Sequence, residues 1–330
     1  MSEQSYDVCG IGNAIVDVLA AAKDAFLEEH DLAKGAMSLV DGPRAEALYR
    51  VMGPGREVSG GSAANSMVGL AALDGRAAFI GKVRNDQLGG IFAHDIRAAG
   101  VDFPTRPSED GPPTARCLIL VTPDGQRTMN TYLGACVGLG PNDVDAETVQ
   151  GSKVTYLEGY LFDPPAAKEA FYKATELSHD ADRKTALTLS DPFCVERHRD
   201  DFRALIEGHI DLLFANEQEI KSLAQTDDLA TAVSSLDGKL DLAVITRSEK
   251  GAIILSGGNR LEVPAHPVHR VVDTTGAGDL FAAGFLAGYT KGKPLFDCGR
   301  LGALAASEII SHFGARPEVD LSDMAKRELA

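Results

Sequence analysis

The chain has 330 residues, of which 44% are apolar, so it can bury a full core in one elaborated domain or two ordinary ones. Its 48 acidic and 32 basic residues give a formal charge of -16, which opposes binding to nucleic acid or anionic membranes. The five cysteines are scattered and form no C-x-x-C pair, so neither a disulfide framework nor a zinc site is predicted.

The N-terminal stretch 1–18 has no basic segment and no signal-peptide cleavage motif, and no apolar run approaches the ~20 residues that span a bilayer. We therefore expect a cytoplasmic protein without a membrane segment. The sequence leaves its oligomeric state open between a monomer and a homodimer.

The first apolar run, residues 8–19, contains Gly10-Ile-Gly-Asn-Ala14, which superficially resembles a dinucleotide fingerprint. That fingerprint needs a helix that opens at the glycines, whereas this run is typical of extended structure continuing through them. An NAD-dependent oxidoreductase is therefore only a distant alternative.

Two alternating segments within residues 117–133 flank the turn 122–125 (Thr-Pro-Asp-Gly), a pattern that predicts a β-hairpin. A second extended patch, residues 37–40, could join it in a small sheet that covers a site. Further on, four runs rich in Val, Ile and Leu alternate with helical segments, at 154–157, 185–189, 210–214 and 242–246. This alternation predicts an α/β fold in which helices cover both faces of a parallel sheet.

The segment 273–279 (D-T-T-G-A-G-D) precedes an apolar run of helical length, 280–289. The backbone amides of Gly276, Ala277 and Gly278 would then lie at a helix N-terminus, which is an anion site. Asp279 follows in the first turn. With an ordinary pKa of about 4, its ionised carboxylate could accept the proton of a substrate hydroxyl that attacks a γ-phosphate. The alternative is that the segment only caps a buried helix.

The absence of Lys-Ser or Lys-Thr after these glycines disfavours a P-loop NTPase. Residues 273–289 instead resemble the C-terminal signature of the PfkB, or ribokinase-like, carbohydrate and nucleoside kinase family, and residues 60–90 resemble its N-terminal signature. The resemblance implies an ATP- and Mg²⁺-dependent kinase with a ribokinase-like three-layer α/β sandwich, a mostly parallel central sheet and a small β-sheet lid. It implies one kinase domain over 1–330, with a lid subdomain at approximately 16–55 and 106–135.

By this resemblance Asp279 is the general base and the amides of Gly276 to Gly278 form the anion hole. Asn216 and Glu219 match the family's N-x-x-E element, in which Glu219 would act on Mg²⁺ through water. Considered alone, Asn216 and Glu219 also suit an ordinary helix start.

The segment 246–251 resembles the family's T-x-G-x-x-G nucleotide loop but has Ser248 where the first glycine is usual. Four more residues complete the predicted nucleotide contacts. They are Thr246, Gly251 and Thr275 for ATP, together with His312, for which a structural role is the alternative. The family often has a monovalent-cation site near the glycine-rich loop, and here it would use Asp273, so activation by K⁺ is an open expectation.

Asn13, Asp17, Gly61 and Asn65 match the positions at which ribokinase-like enzymes hold the hydroxyl groups of a ribose. The chemistry fits, because a carboxylate can accept hydrogen bonds from two vicinal hydroxyls and an asparagine can both donate and accept. Taken alone, Asn65 could instead be an exposed polar residue of a helix.

The patterns 12–18 and 125–136 resemble the family's adenosine kinases more closely than its sugar kinases. We therefore expect phosphate transfer from ATP to the 5'-hydroxyl of a nucleoside, foremost adenosine. Arg127 on the covering hairpin is the candidate cation for the transferring phosphate, and Tyr132 is a candidate for stacking on the base; a surface role for Arg127 and a packing role for Tyr132 are the alternatives. A sugar kinase acting on ribose, fructose or a keto acid is the nearest rival, and a non-catalytic ligand-binding protein is a distant one.

Overall fold

A computed structural model describes residues 5–329; residues 1–4 and 330, which the predicted kinase domain includes, lie outside this range. Nine strands form a large sheet, and their bounds are β1 (Tyr6–Ile11), β5 (Ala77–Ile80), β6 (Val101–Asp102), β9 (Ser152–Glu158), β10 (Lys184–Thr188), β11 (Leu212–Asn216), β12 (Leu242–Thr246), β13 (Ala252–Ser256) and β14 (Asn259–Val263). Their spatial order is β14-β13-β12-β11-β10-β9-β1-β5-β6.

The strands from β6 across to β12 run parallel, and β13 and β14 extend that edge in antiparallel orientation. The four strands predicted from apolar runs are confirmed as β9, β10, β11 and β12. Both faces of these strands are buried, which explains why the runs are continuously apolar instead of alternating.

Helices cover both faces of the large sheet, while the helix of residues 42–51 packs on the smaller sheet described below. The helices are α1 (Asp24–Glu29), α2 (Gly42–Val51), α3 (Ser62–Ala71), α4 (Gln87–Ala98), α5 (Ala146–Gln150), α6 (Pro165–Asp180), α7 (Pro192–His209), α8 (Glu217–Ala224), α9 (Leu229–Ser234), α10 (Ala277–Tyr289), α11 (Leu295–Ile309) and α12 (Leu321–Glu328). One apolar core includes Val8 of β1 with side chains of α3, α10 and α11, whereas Cys9 of β1 belongs to the other core, with side chains of α6 and α7. Successive side chains of a strand point to opposite faces, and the predicted three-layer arrangement is confirmed.

A second, smaller sheet contains β2 (Ile15–Ala21), β3 (Met37–Leu39), β4 (Gly55–Gly60), β7 (Ala115–Val121) and β8 (Arg127–Tyr132). Its order is β3-β8-β7-β2-β4. The predicted hairpin is confirmed as β7 and β8, joined by a turn in which the N–H of Gly125 donates to the carbonyl of Thr122 at 2.8 Å. The patch at 37–40 joins it as β3, paired with β8. The predicted lid boundaries stay a prediction; β4 begins at residue 55, where the first predicted lid segment ends.

The chain passes from the large sheet into the small one through residues 12–14, which separate β1 from β2. No helix opens at Gly10 or Gly12, so the structural condition for a dinucleotide fingerprint is not met. None of the helices within residues 5–329 combines the length and apolar character needed to cross a bilayer.

Candidate functional site

The glycine-rich segment ends at the start of α10, where Gly276 is the N-cap with a φ of 79°. A Cβ at Gly276 would lie 2.9 Å from the Cβ of Ala315, so both backbone conformation and packing require glycine. The Cα of Gly278 instead faces open space. Within residues 5–329, the N–H groups of Gly276 and Gly278 have no acceptor, whereas that of Ala277 donates to the carbonyl of Thr274 at 3.2 Å. Two of the three predicted amides are therefore available to an anion.

Asp279 lies in the first turn of α10 and accepts two hydrogen bonds from the first turn of α3. The Oγ of Ser62 donates to Oδ1 at 2.6 Å, and the Nδ2 of Asn65 donates to Oδ2 at 3.1 Å. Burial raises the pKa of Asp279 to about 6, although the hydrogen bonds from Ser62 and Asn65 and the charge of Arg316 act in the opposite direction. This corrects the expectation of an ordinary pKa, and the carboxylate is still mostly ionised at neutral pH.

Asp17 lies on β2, on the face of the small sheet that is turned towards Asp279. Burial raises the pKa of Asp17 to about 6, the nearby charges of Arg316 and Arg127 lower it, and Asp279 raises it. The carboxylate accepts no hydrogen bond from the part of the chain that the structure describes, and a Cβ on Gly60 would lie 2.5 Å from its Oδ2. Glycine at position 60 therefore leaves space for the carboxylate of Asp17, and no described donor occupies its oxygens.

The remaining predicted ribose contacts meet at the start of α3. Gly61 is the N-cap of α3 with a φ of 99°, and a Cβ there would lie 2.1 Å from the carbonyl oxygen of Asn13. Glycine is therefore required at this close approach of two backbones. Asn65 is 6% exposed, and its Oδ1 has no hydrogen-bond partner in the described chain. The structure thus brings Asn13, Gly61 and Asn65 together.

Glu158, at the end of β9, is a site residue that the sequence analysis missed. It is 1% exposed, accepts from the Nδ2 of Asn13 and from the N–H of Ala63, both at 2.8 Å, and has its pKa raised to about 7 by burial. The amide nitrogen of Asn13 is therefore committed to Glu158. The available signal was a carboxylate at the carboxyl end of a predicted parallel strand, where α/β folds place ligand sites.

Arg127 and Asp273 form an ion pair between the small sheet and the glycine-rich segment, with both side chains 8% exposed. The other oxygen of Asp273 accepts from the N–H of Thr275 at 3.0 Å and from its Oγ1 at 2.7 Å, and the N–H of Gly314 donates to the oxygen that Arg127 contacts. Both oxygens are thus occupied by protein donors. In this arrangement the carboxylate of Asp273 does not fit a K⁺ ligand. The ATP contact predicted for Thr275 stays a prediction.

Tyr132 lies on the opposite face of the small sheet from Asp17. In the strand register Asp17 pairs with Cys117 and Cys117 with Thr131, so Tyr132, one residue on, points to the other face. Its ring packs near α2, where a Cβ on Gly42 would lie 3.5 Å from the Tyr132 hydroxyl. This position corrects the expectation that Tyr132 stacks on a base; the packing alternative agrees with the structure.

Asn216 and Glu219 form a capping box at the start of α8. The Oδ1 of Asn216 accepts from the N–H of Gln218 and from that of Glu219, each at 2.9 Å, while the carboxylate of Glu219 accepts from the N–H and side-chain amide of Asn216. Burial raises the pKa of Glu219 to about 7. Because both of its oxygens are engaged, Glu219 does not fit a direct Mg²⁺ ligand, and its action through water stays a prediction.

Thr246 is the register partner of Asn216 on the neighbouring strand. Gly251 closes the following turn with a φ of 80°, and a Cβ there would lie 2.0 Å from the carbonyl oxygen of Val263. Ser248, at the position where the family usually has glycine, has a φ of 51°. The Nε2 of His312 lies 3.0 Å from a carboxylate oxygen of Glu308, one helical turn earlier. This contact agrees with the alternative that His312 has a structural role. ATP contacts by these residues stay predictions.

Two other side chains at the site were missed, Ser62 and Arg316. Ser62 lies inside the signature-like segment 60–90 but carried no assigned role, and Arg316 follows α11 with no local pattern around it. Within residues 5–329 no group of three or more His, Cys, Asp or Glu side chains is arranged to hold a metal ion.

Comparison with known proteins gives consistent results. The profile of the pfkB family carbohydrate kinases matches residues 52–321. The crystal structure of adenosine kinase from Sinorhizobium meliloti is 54% identical, with a TM-score of 0.90 over 98% of this chain and 99% of that one. A probable sugar kinase protein from Rhizobium etli CFN 42 is 53% identical, with a TM-score of 0.91 over 98% of each chain.

An uncharacterized sugar kinase from Archaeoglobus fulgidus is 30% identical over 254 residues, which are 76% of this chain and 97% of the relative. The family profile covers well over half of the sequence, and the two sheets have the arrangement that the resemblance implied. The chain therefore belongs to the pfkB family of carbohydrate kinases, ATP-dependent phosphotransferases with a ribokinase-like fold.

Proposed function

We propose that this chain is an adenosine kinase, which transfers the γ-phosphoryl group of ATP to the 5'-hydroxyl of adenosine and yields AMP and ADP. The observation that carries the proposal is the placement of Asp279. Its carboxylate lies in the same helical turn as the free amides of Gly276 and Gly278 and is held from α3 by Ser62 and Asn65.

In this proposal Asp279 removes the proton of the attacking hydroxyl. The new bond forms between the 5'-oxygen and the γ-phosphorus, the bond from that phosphorus to the bridging oxygen breaks, and ADP leaves with the electron pair. The amides of Gly276 and Gly278 would stabilise the charge on the transferring group. A base with a pKa of about 6 accepts a proton more readily than an ordinary aspartate and is still ionised at pH 7.

The acceptor is proposed to be a ribose because of two polar groups that the chain leaves without a partner. Within residues 5–329 the half-buried carboxylate of Asp17 accepts no hydrogen bond, and the buried Oδ1 of Asn65 has no donor either. Buried polar atoms are nearly always hydrogen-bonded. Ribose hydroxyls would satisfy both groups, and the fixed amide of Asn13 lies on the same side of the site.

A nucleoside is favoured over a free sugar by the surface of the small sheet next to Asp17. Because side chains alternate along each strand, the residues that share the face of Asp17 can be read from the register. Its apolar members include Leu19, Met37, Leu39, Cys117, Ile119 and Met129, and Arg127 and Thr131 of β8 and Arg56 of β4 lie on the same face. This mainly apolar surface suits a purine base, whereas a free sugar offers only polar groups to it. The similarity to the Sinorhizobium meliloti adenosine kinase also supports this choice.

Arg127 remains the proposed cation for the transferring phosphate. It lies on the same face of the small sheet as Asp17, and its guanidinium contacts the carboxylate of Asp273, the first residue of the glycine-rich segment. In this proposal the phosphates of ATP compete with Asp273 for Arg127.

The similarity to the Rhizobium etli probable sugar kinase favours the rival substrate class. Purified protein, ATP and Mg²⁺ would therefore be incubated with adenosine, inosine, ribose or fructose in parallel, and the phosphorylated products identified by mass. We expect AMP as the main product, and kcat/KM for adenosine at least about tenfold above that for any free sugar. Faster phosphorylation of ribose or fructose would overturn the nucleoside assignment, and Asp279→Asn protein from the same purification controls for contaminating kinases.

A further inference from the structure

Arg316, between α11 and α12, reaches back to the turn that joins β4 to α3. Its Nε donates to the carbonyl of Ser59 at 3.0 Å, its Nη2 to the same carbonyl and to the Ser59 Oγ at 2.8 Å, and its Nη1 to the carbonyl of Ala64 at 3.2 Å. Asp95 supports the arrangement from α4 by accepting from the N–H of Ser59 at 2.7 Å and its Oγ at 2.6 Å. One guanidinium thus binds the backbone on both sides of the turn.

The turn that Arg316 holds carries the contacts of both site carboxylates. Ser62 and Asn65, on the α3 side of the turn, donate to Asp279. Gly60, on the β4 side, packs against the carboxylate of Asp17. A shift of this turn would therefore change the surroundings of Asp17 and Asp279 together.

Arg316 also balances a site that is rich in negative charge. Titratable and charged groups from five elements, and from the residues just after β9, face Asp279, Asp17 or Arg316. They are Asp95 of α4, Asp17 of β2, Cys117 of β7, Arg127 of β8, Tyr156 and Glu158 of β9, and Tyr160. Arg127, the other cation in this group, is paired with Asp273. The charge of Arg316 lowers the pKa of both Asp17 and Asp279, and the three aspartates in turn favour the charged form of Arg316, although burial lowers its pKa to about 10.

We propose that Arg316 is a positioning residue of the phosphotransfer site, which clamps the turn between β4 and α3 and supplies the positive charge shared by Asp17 and Asp279. The proposal rests on the proposed function, because it treats Asp279 as the base. The two roles of Arg316, hydrogen bonding to the turn and supply of positive charge, can be separated by mutation. A lysine retains the charge but cannot reproduce hydrogen bonds to both Ser59 and Ala64.

The test compares Arg316→Met and Arg316→Gln, which lack the charge, with Arg316→Lys, which keeps it. The pH profile of kcat for adenosine is measured from pH 5 to 9. Without the cation the pKa of Asp279 rises, so the acid limb should move to higher pH by roughly one unit in the two neutral variants and stay near that of the wild type in Arg316→Lys. All three should have a kcat at least about tenfold lower at pH 8, because the clamp is lost.

Arg116→Met is the matched control. Arg116 is a buried arginine on the other face of the small sheet, where it pairs with Glu46. Its removal should leave the acid limb in place. An unmoved acid limb in the folded neutral variants, or the same limb in the lysine and neutral variants, would overturn the proposal.

A readout that does not depend on turnover separates this proposal from the proposed function. The carboxyl ¹³C resonance of Asp279, assigned by its loss in Asp279→Asn, is titrated in the wild type and in each Arg316 variant. We expect a higher titration midpoint in the neutral variants. If adenosine is not a substrate but the midpoint moves, the proposed function fails and the electrostatic role of Arg316 stands; an unmoved midpoint beside normal adenosine phosphorylation refutes that role alone.

Discussion

The two regions predicted to hold the two substrates differ in how their polar groups are satisfied. Around α10 and β2, within residues 5–329, the half-buried carboxylate of Asp17 has no protein donor, Asn65 has an unpaired buried oxygen, and two amides at the start of α10 are free. Around α8 and β12, Asn216 and Glu219 satisfy one another in a closed capping box, although the buried Nε of Arg247, directly after β12, has no hydrogen-bond partner in the described chain. Unsatisfied buried groups indicate where a ligand completes the structure, whereas satisfied ones are explained by folding alone.

The strongest test of this contrast is Asp279→Asn. We expect kcat to fall about 1,000-fold because the amide cannot accept the proton, while the affinity for adenosine, measured by calorimetry, changes only a few-fold. Near-normal turnover would remove Asp279 as the base and with it the main reason to place the chemistry at α10.

The next largest effect is expected for Asp17→Ala. Loss of charge-assisted hydrogen bonds to two ribose hydroxyls should raise KM for adenosine about 100-fold, with KM for ATP unchanged. Steady-state kinetics with each substrate varied in turn provide the measurement. Leu19→Ala, two residues along the same face, is the control, and it should act more weakly and only on nucleoside binding.

The pH dependence of the wild type sharpens the assignment. The pKa of Asp279 is raised to about 6, and the base works only when deprotonated. Turnover should therefore be constant above about pH 7 and fall about tenfold per unit below about pH 6. Because burial raises the pKa of Asp17 to about 6 as well, Asp17→Asn is the discriminating control: its kcat profile should keep the acid limb, and loss of the limb would assign the titration to Asp17.

Asn216→Ala tests the other side of the comparison. Loss of the capping box should lower the free energy of unfolding by about 1 kcal/mol, measured by urea denaturation. The matched control is Asp228→Ala, which removes the N-cap of α9 at a similar cost. If KM for ATP rises more than about tenfold in Asn216→Ala alone, the region is a nucleotide site as the resemblance implies, and the contrast drawn above is broken.

The smallest expected effect belongs to Ser248, which has a φ of 51°. Glycine relieves the strain of this left-handed conformation but makes the unfolded chain more flexible, so Ser248→Gly should stabilise the fold by only about 0.5 kcal/mol. Thermal unfolding measures the change, and Asp31→Gly, at the same φ, should show a similar gain. A loss of stability would indicate that the Ser248 side chain makes a contact worth more than the strain.

The sequence predicted those parts of the molecule that depend on local pattern. The start of α10, the β7–β8 hairpin and four parallel strands follow from glycine placement and from apolar runs. The pKa of Asp279 was not predictable in this way, because burial and a hydrogen bond from Ser62, 217 residues away in sequence, determine it.

Two further features could not be predicted because they also depend on contacts between distant parts of the chain. The sequence left Tyr132 open between stacking on a base and packing, because one residue of strand register decides where its side chain points, and the hairpin pattern alone does not fix that face relative to the site. Arg316 was missed because a single arginine after a helix carries no local signal. Its partners Ser59 and Ala64 lie more than 250 residues earlier in the chain.

The short connection at residues 12–14 has a mechanical consequence. Asn13 precedes β2 and donates a hydrogen bond to Glu158, the last residue of β9 in the large sheet. Asp17, four residues later, belongs to the small sheet. A ribose held by both would bridge the two sheets, between which the chain also crosses at residues 60–62 and 103–114 and after Tyr132. Any rotation of the small sheet relative to the large one changes the gap between Asp17 and Asp279, so the separation of these two carboxylates measures how far the site has closed.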